Sequence, residues 1–316
     1  MKIGRKPTRE GVLAAAARLV GVATRTPLLP LAPRTWIKAE SLQLGGAFKL
    51  RGAYNRLAQV PDAERGRGVV AFSSGNHAQG VALAARMLGM PATIVMPADA
   101  PQVKLDGTAS LGAEIVLYDR HGESREEIAA RLAAERGAVL VPSFDDPDVV
   151  EGQGTVGLEI ALQLGPDLRR VVVPCGGGGL AAGIALALPT VQVVAVEPEG
   201  WDDMTRSLAA GRIVEVAADA PPTACDALQA RRVADITFGT LRDADASGVA
   251  VSEAEIRAAM RHAFGLGLVV EPGGAVALAA CLARKLPDVE GDTVVVCSGG
   301  NVDPAAFAAV IKGEVA

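Results

Sequence analysis

Lys49 stands in LGGAFKLRGA (44–53), behind Gly45, Gly46 and Ala47 and between apolar Phe48 and Leu50. Small residues let other atoms approach the backbone closely. Apolar neighbours withdraw water from an ammonium and favour the neutral amine that acts as a nucleophile. The stretch therefore reads as a Schiff-base lysine. It reads equally as the solvated first turn of a helix through Tyr54, Leu57 and Val60, with Lys49 and Arg51 in water. A second feature is the run Gly176, Gly177, Gly178 and Gly179. Four successive residues without side chains exceed what a tight turn needs, and bare amides ahead of a helix predict an anion, above all a phosphate. SSGNH (73–77) and CSGGN (297–301) are further loops of small and polar residues.

These loops need elements to hold them. VVAFSSGNHAQGVALAARM, VVVPCGGGGLAAGIALAL and VVVCSGGNVDPAAFAAVI each run from an apolar strand pattern through the loop into an alanine-rich helical pattern. In an open parallel sheet such loops lie at the carboxyl ends of strands, where ligands bind. From residue 68 onward, VVAF (69–72), ATIVM (92–96), EIVLY (114–118) and AVLVP (138–142) alternate with helical patterns near 78–88, 101–112 and ESREEIAARLAAERG. RVVVP, VQVVAVE and TVVVCS repeat the device later. Continuous apolar strands separated by helices predict parallel sheet covered on both faces, hence an α/β protein. PSFDDPDV (142–149), with its two prolines and three aspartates, is the predicted hinge or boundary. Gly177, Gly179 and Ala182 also fit the dinucleotide pattern GxGxxA, with Glu197 about 20 residues on where a ribose-binding acid belongs. That rival leaves SSGNH, SGGN and the lysine stretch without a role, so one ligand touching all four segments is the more economical reading.

The chain has 316 residues, half of them hydrophobic, which is core enough for two lobes. A net charge of -5 and 3% aromatic residues argue against nucleic acid and for small-molecule partners. Cys175, Cys225, Cys281 and Cys297 are far apart and form no CxxC pair, and they read as reduced cytosolic thiols. The start imitates a signal peptide, but Arg18 interrupts its apolar stretch. Thr8 as N-cap, Glu10 in the first turn, and Val12, Leu13, Leu19 and Val20 on one face predict an amphipathic helix instead. No segment has an uninterrupted apolar run of membrane length, and the expected compartment is the cytoplasm.

ESLQLGGAFKLRGA, SSGNHAQG, GQGT, PCGGGGL, EPGGA and CSGGNVD occur in the order and spacing of fold-type II pyridoxal-phosphate enzymes, and the chain resembles their serine/threonine dehydratase and serine racemase group over nearly its whole length. The resemblance implies a tryptophan synthase β-like fold: two open parallel-sheet lobes with the cofactor between them. Residues 1–67 and 146–316 would form the large cofactor-binding domain and 68–145 the small substrate-side domain. It implies that Lys49 holds pyridoxal 5'-phosphate as a Schiff base. Gly176, Gly177, Gly178, Gly179 and Leu180 would bind the phosphate, Asn76 the ring hydroxyl and Ser298 the pyridine nitrogen. Ser73, Ser74, Gly75, Asn76 and His77 would take the substrate carboxylate, with Ser74 also catalytic on the cofactor face opposite Lys49. A neutral hydroxyl at Ser298 would leave the pyridine nitrogen largely unprotonated, which favours elimination. The implied activity is dehydration and deamination of L-threonine or L-serine to a 2-oxo acid and ammonia, by a homodimer. Serine racemase or hydroxyaspartate dehydratase is the alternative, and an NAD-binding oxidoreductase or a non-catalytic cofactor-binding protein lies further off.

The sequence departs from the family at several points. Leu44-Gly45-Gly46-Ala47 replaces a proline-threonine-glycine-serine type of run, the segment between Pro27 and Trp36 is short, and Cys225-Asp226-Ala227 replaces alanine-aspartate-glycine. These bear on substrate identity. Glu197, Asp203 and the Trp201 carbonyl match the racemase branch's cation site, where hard oxygen ligands suit Mg²⁺ or Ca²⁺; two acids near a helix N-terminus explain them as well. Arg125 reads as a solvated helix residue that could approach a substrate carboxylate, and Glu271 as a neighbour of the cofactor ring. Ser252 and Glu255 predict a capping box. His121 and His262 read as loop and helix-surface residues.

Overall fold

Runs that are apolar at every position, not at alternate ones, become strands covered on both faces. The computed structural model describes residues 5–73, 75–100, 102–120 and 122–314. Among the described residues ten strands form two sheets: β1 (Leu28–Ala32), β2 (Thr35–Ala39), β3 (Val69–Phe72), β4 (Ala92–Pro97), β5 (Glu114–Tyr118), β6 (Val139–Leu140), β7 (Leu168–Pro174), β8 (Gln192–Pro198), β9 (Ser247–Val251) and β10 (Asp292–Cys297). The six-stranded sheet has the order β1-β2-β10-β7-β8-β9 and the four-stranded sheet β5-β4-β3-β6. All pairings are parallel except the β1–β2 hairpin. The predicted α/β class and its two parallel-sheet lobes are thus present.

Successive strand residues feed opposite cores. Val171, Val173, Val193 and Val294 face a cluster with Ile184 and Ile160, whereas Val172, Val194 and Val295 face another with Ile256, Met260 and Leu278. In the smaller sheet Val69, Ala71 and Ile94 face Leu50, Ala53, Leu57 and Val81, while Val70 and Val95 face Ala129 and Leu132. The helix Lys49–Leu57 therefore packs its apolar side into the smaller lobe.

Several boundaries shift from expectation. The helix after SSGNH begins at Asn76, so Asn76 and His77 occupy its first turn. The AVLVP run keeps only Val139–Leu140 as strand, because pairing with β3 ends there and the chain turns through Pro142 toward the next helix. Thr8 caps the first helix, Arg9–Arg18, as expected, but its buried face is Val12 and Ala15, with Leu19 just beyond. Leu13 is 46% exposed because it lies within the helix but off the Val12–Ala15 face, and Val20 is 80% exposed because it lies past the helix end. The Ser252–Glu255 capping box is present. The 142–149 stretch carries the chain out of the smaller lobe, and Asp146 caps the helix Pro147–Leu164 through the N–H groups of Asp148 and Val149.

Candidate active site

The small residues before Lys49 serve a strap. Gly45 and Gly46 have φ values of 76° and 72°, the left-handed region that glycine enters without strain. Their turn lays Ala47 beside Gly299 in an antiparallel bridge. The Phe48 N–H donates to Ser298 O at 3.1 Å and the Gly300 N–H to Gly46 O at 2.8 Å. The strap is thereby bonded to the SGGN loop at the end of β10, and the helix that follows starts at Lys49.

Part of the Lys49 surface faces a cavity, but its ammonium lies deep among protein atoms and donates to Ser143 O at 3.2 Å. This desolvation lowers its pKa from 10.5 to about 8, with Glu271 opposing the shift. Arg51, two residues on, is 1% exposed and not in water. It donates to both oxygens of Glu40 at 2.8 Å, and to Glu159 at 2.7 and 3.0 Å. Lys49 opens a helix, as the second reading of the stretch expects, but Arg51 on that turn is buried against carboxylates and not solvated.

The glycine run follows β7 and leads into the helix Gly179–Ala187. A Cβ on Gly177 would lie 2.3 Å from the Phe144 ring, and one on Gly178 (φ 87°) 2.6 Å from Met204 Cε. Thr237 Oγ1 donates to Gly177 O at 2.7 Å and braces the turn. The loop is walled so tightly that only bare backbone lines the cavity ahead of the helix N-terminus.

That cavity, about 370 Å³, brings together Lys49, Ser73, Gly75, Asn76, His77, Gly176, Gly177, Gly178, Gly179, Leu180 and Ser298. Ser74 and His121 lie outside the described residues. Asn76 Nδ2 donates to Glu271 Oε1 at 2.5 Å, and Asn301 Nδ2 to Asn76 Oδ1 at 2.8 Å. Burial pushes the Glu271 carboxyl up to about 7, opposed by its bond from Asn76. Burial and the charge of Lys49 push His77 down to about 3 against its bond to the Val141 carbonyl. The ring is therefore neutral, with Nε2 against Val141 O at 2.9 Å and a buried, unpartnered Nδ1. A neutral ring cannot offer positive charge to a carboxylate.

Glu197 and Asp203 lie close enough to interact elsewhere, with Trp201 between them in the chain, and none of the three lines the cavity. Glu197 accepts from the N–H groups of Met204 and Thr205 at 2.9 and 2.8 Å and from Thr205 Oγ1 at 2.6 Å. It is thus committed to the start of the helix Asp203–Ala210, which removes it from the ribose role of the dinucleotide pattern. Both Asp203 oxygens are buried without a hydrogen bond. Burial pushes Glu197 up to about 8 and Asp203 to about 7, with nearby backbone amides offsetting part of each shift. Among the described residues no three His, Cys, Asp or Glu side chains converge as metal ligands. A cation would rest on these two carboxylates and a backbone oxygen.

Further residues complete the cavity, Arg125 foreseen from the sequence and the others not. Arg125 lines it, with its guanidinium 5.7 Å from the Phe72 ring centroid and bonded to Glu126. Phe144 and Asp145 come from the predicted hinge, and Arg232 from a loop with no motif. Asp226, in the divergent Cys225-Asp226-Ala227 segment, pairs with Lys104 of the smaller lobe. Both sides of the expectation for Arg125 are present: it is an exposed residue at the start of its helix, and it lines the cavity.

Comparison with known proteins now adds to this geometry. Residues 20–299 match the profile of the pyridoxal-phosphate dependent enzymes. The chain is 44% identical to an L-threo-3-hydroxyaspartate ammonia-lyase of a Pseudomonas species, over 96% of this chain and 98% of that protein. It is 46% identical to an L-threonine ammonia-lyase of Thermotoga maritima, over 85% of this chain and 67% of that protein. Its fold matches the solved structure of maize serine racemase with a TM-score of 0.90 at 35% identity, covering 98% of each chain.

Proposed function

The chain belongs to the pyridoxal-phosphate dependent enzymes, and from that premise we propose that it is an ammonia-lyase converting a β-hydroxy amino acid such as L-threonine or L-serine to a 2-oxo acid and ammonia. One observation carries this reading: a lysine with its pKa lowered to about 8 shares a single cavity with the walled glycine cradle and the SSGNH loop.

The residues fit the cofactor. The cradle, where a Cβ would strike Phe144 or Met204, suits a phosphate held on backbone amides. Lys49 would bond the cofactor, Asn76 its ring hydroxyl and buried Ser298 its pyridine nitrogen. When bound, pyridoxal phosphate supplies a ring that accepts the negative charge developing at the substrate Cα. The Ser73 hydroxyl and the Asn76 backbone N–H would hold the substrate carboxylate, because the Ser73 N–H donates to Val95 O and the Gly75 N–H to Ser73 Oγ, with neutral His77 shaping the wall. Lys49 Nζ removes the Cα proton as general base. Ser74 keeps the opposite-face role implied by the resemblance, where it would govern any racemisation. Residues 68–145 act as the substrate-side domain against 1–67 and 146–316.

Arg125 favours a second reading. Its guanidinium, exposed and paired with Glu126, lines the cavity and suits a substrate with a second carboxylate that would replace Glu126 as partner, and the Pseudomonas relative is named for such a substrate. The test of both readings is product analysis. Purified protein is incubated with L-threonine, L-serine, D-serine and L-threo-3-hydroxyaspartate, and ammonia and 2-oxo acid are measured. Ammonia only from hydroxyaspartate selects the second reading, and a yellow protein that turns over none of them is a binding protein. A colourless protein that cannot be reconstituted with pyridoxal phosphate but binds NAD returns the dinucleotide reading.

No helix among the described residues is long and apolar enough to cross a membrane. A cytoplasmic homodimer is the proposed working form, in keeping with four unpaired thiols.

Mg²⁺ or Ca²⁺ is proposed at Glu197, Asp203 and the Trp201 carbonyl. The two unbonded Asp203 oxygens fit a hard cation. Binding only to the native state raises apparent stability, so either ion should raise the melting temperature of the wild type and not of Asp203→Ala. Because Asp203 is pushed up to about 7 and Glu197 to about 8, the cation must displace protons, and its effect should grow from about pH 6 to pH 8. Equal shifts in both proteins rule the site out.

A further inference from the structure

The amide of Asn76 can face two ways, and the surrounding bonds decide between them. Asn301 Nδ2 donates to Gly45 O at 2.8 Å. A backbone carbonyl can only accept, so this contact fixes which end of the Asn301 amide is nitrogen. The same nitrogen uses its other hydrogen on Asn76 Oδ1, also at 2.8 Å. Turning Asn76 over would set two NH₂ groups against each other. With Oδ1 held by Asn301, Asn76 Nδ2 meets Glu271 Oε1 at 2.5 Å and keeps a second N–H free.

We propose that Asn301 is a positioning residue that fixes the direction of the Asn76 carboxamide, so that an N–H is presented on the side of Glu271 and the bound cofactor. The inference rests on the reading that this cavity holds pyridoxal phosphate beside Asn76. Glu271 cannot do this alone. Its carboxyl is pushed up to about 7 by burial, with Asn76, Asp226, Lys104 and Lys49 adjusting the shift. Near neutral pH it alternates between an acceptor and a donor, and a protonated carboxyl tolerates either amide direction. The Asn301 contact has no such dependence, because neither a backbone carbonyl nor an amide titrates.

Gly46 belongs to the same device. A Cβ there would lie 2.2 Å from Asn301 Oδ1, so the bare strap at Gly46 is what makes room for the Asn301 amide. The glycines ahead of the lysine, the SGGN loop and the SSGNH helix are thus joined through one side chain.

The test compares Asn301→Asp with Asn301→Ala. Aspartate is nearly isosteric, but the oxygen that replaces Nδ2 faces both Gly45 O and Asn76 Oδ1, so it repels the present amide direction and favours the reversed one. Alanine removes the constraint without reversing it. Three readouts are taken: melting temperature of the cofactor-free protein, cofactor dissociation constant by titration, and the visible absorption maximum of the loaded protein. The expected result is cofactor affinity weakened on the order of tenfold and a displaced band, larger in Asn301→Asp than in Asn301→Ala. Wild-type affinity and absorption in both folded variants overturn the proposal. If Asn301→Asp does not fold, Asn301→Ala decides alone, and wild-type values there overturn it. Borohydride fixation of cofactor to Lys49 in the wild type keeps the two readings apart. Labelling with unaffected Asn301 variants sinks only this inference, and no labelling sinks both.

Discussion

In Lys49→Ala, ammonia release from every β-hydroxy amino acid falls by at least about 10⁴-fold, because one side chain serves as both covalent anchor and general base. Borohydride then fixes no cofactor to the chain. Folding does not suffer. The wild-type ammonium is desolvated and its pKa is lowered to about 8, so at neutral pH the charged form opposes folding and its removal leaves the melting temperature unchanged or raised. Loss of activity with a lower melting temperature would point to a structural role instead. The same lowered value governs capture of cofactor by the empty protein. Only the neutral amine attacks, so the capture rate rises through about pH 8 and then levels, whereas a lysine at its usual 10.5 would keep rising past pH 10. Stopped-flow absorbance on cofactor-free protein from pH 6 to 10 separates the two curves.

Glu40→Ala destabilises the protein by about 3–5 kcal/mol, lowering the melting temperature by roughly 10 °C. Glu40 is wholly buried and accepts two hydrogen bonds from Arg51 and one from Thr26 at 2.5 Å. Glu159 joins the group by accepting from Arg51 and, at 2.6 Å, from buried Lys38. Two carboxylates balance two cations, and removing one leaves an uncompensated charge away from water. Removing both ends of the pair in Glu40→Ala/Arg51→Met should restore part of the loss, since no charge is then stranded. Burial raises the Glu40 pKa, but Arg51, Thr26 and Lys38 outweigh it and hold the carboxyl below its usual 4.5. The stabilisation is therefore complete above that usual value and lost as pH falls through the lowered one. Wild type and variant should converge in acid, and urea unfolding at pH 7 and pH 3 measures this. A pH-independent difference would mean that packing, not charge, is what Glu40 contributes.

The strands were legible because β-branched runs declare themselves locally: VVAF and EIVLY match β3 and β5 to the residue. The loops were legible because glycine runs have few other uses. What the sequence could not show is partnership across distance. Arg51 looks like a solvated cation until Glu40 and Glu159 are brought to it from 11 and 108 residues away. Asn301 sits in a visible motif, yet its partners Gly45 and Asn76 lie more than two hundred residues upstream. Arg125 has the pattern of a surface residue and stays exposed, paired with Glu126, and only its nearness to the Phe72 ring sets it at the rim of the cavity. Leu13 and Val20 show the converse: Leu13 lies off the buried face of the helix that forms, and Val20 lies beyond its end.

The helix Lys49–Leu57 has a consequence for how the chain comes apart. Its apolar side supplies Leu50, Ala53 and Leu57 to the core of the four-stranded sheet, and its charged side locks Arg51 against Glu40 and Glu159 of the other lobe. A fragment spanning 68–145 would leave that core open along the face this helix covers and could not fold by itself. The two sheets are therefore expected to unfold as one cooperative unit, with amides at the centre of either sheet exchanging with solvent at the same opening free energy; a much lower value for the smaller sheet would show that it opens alone.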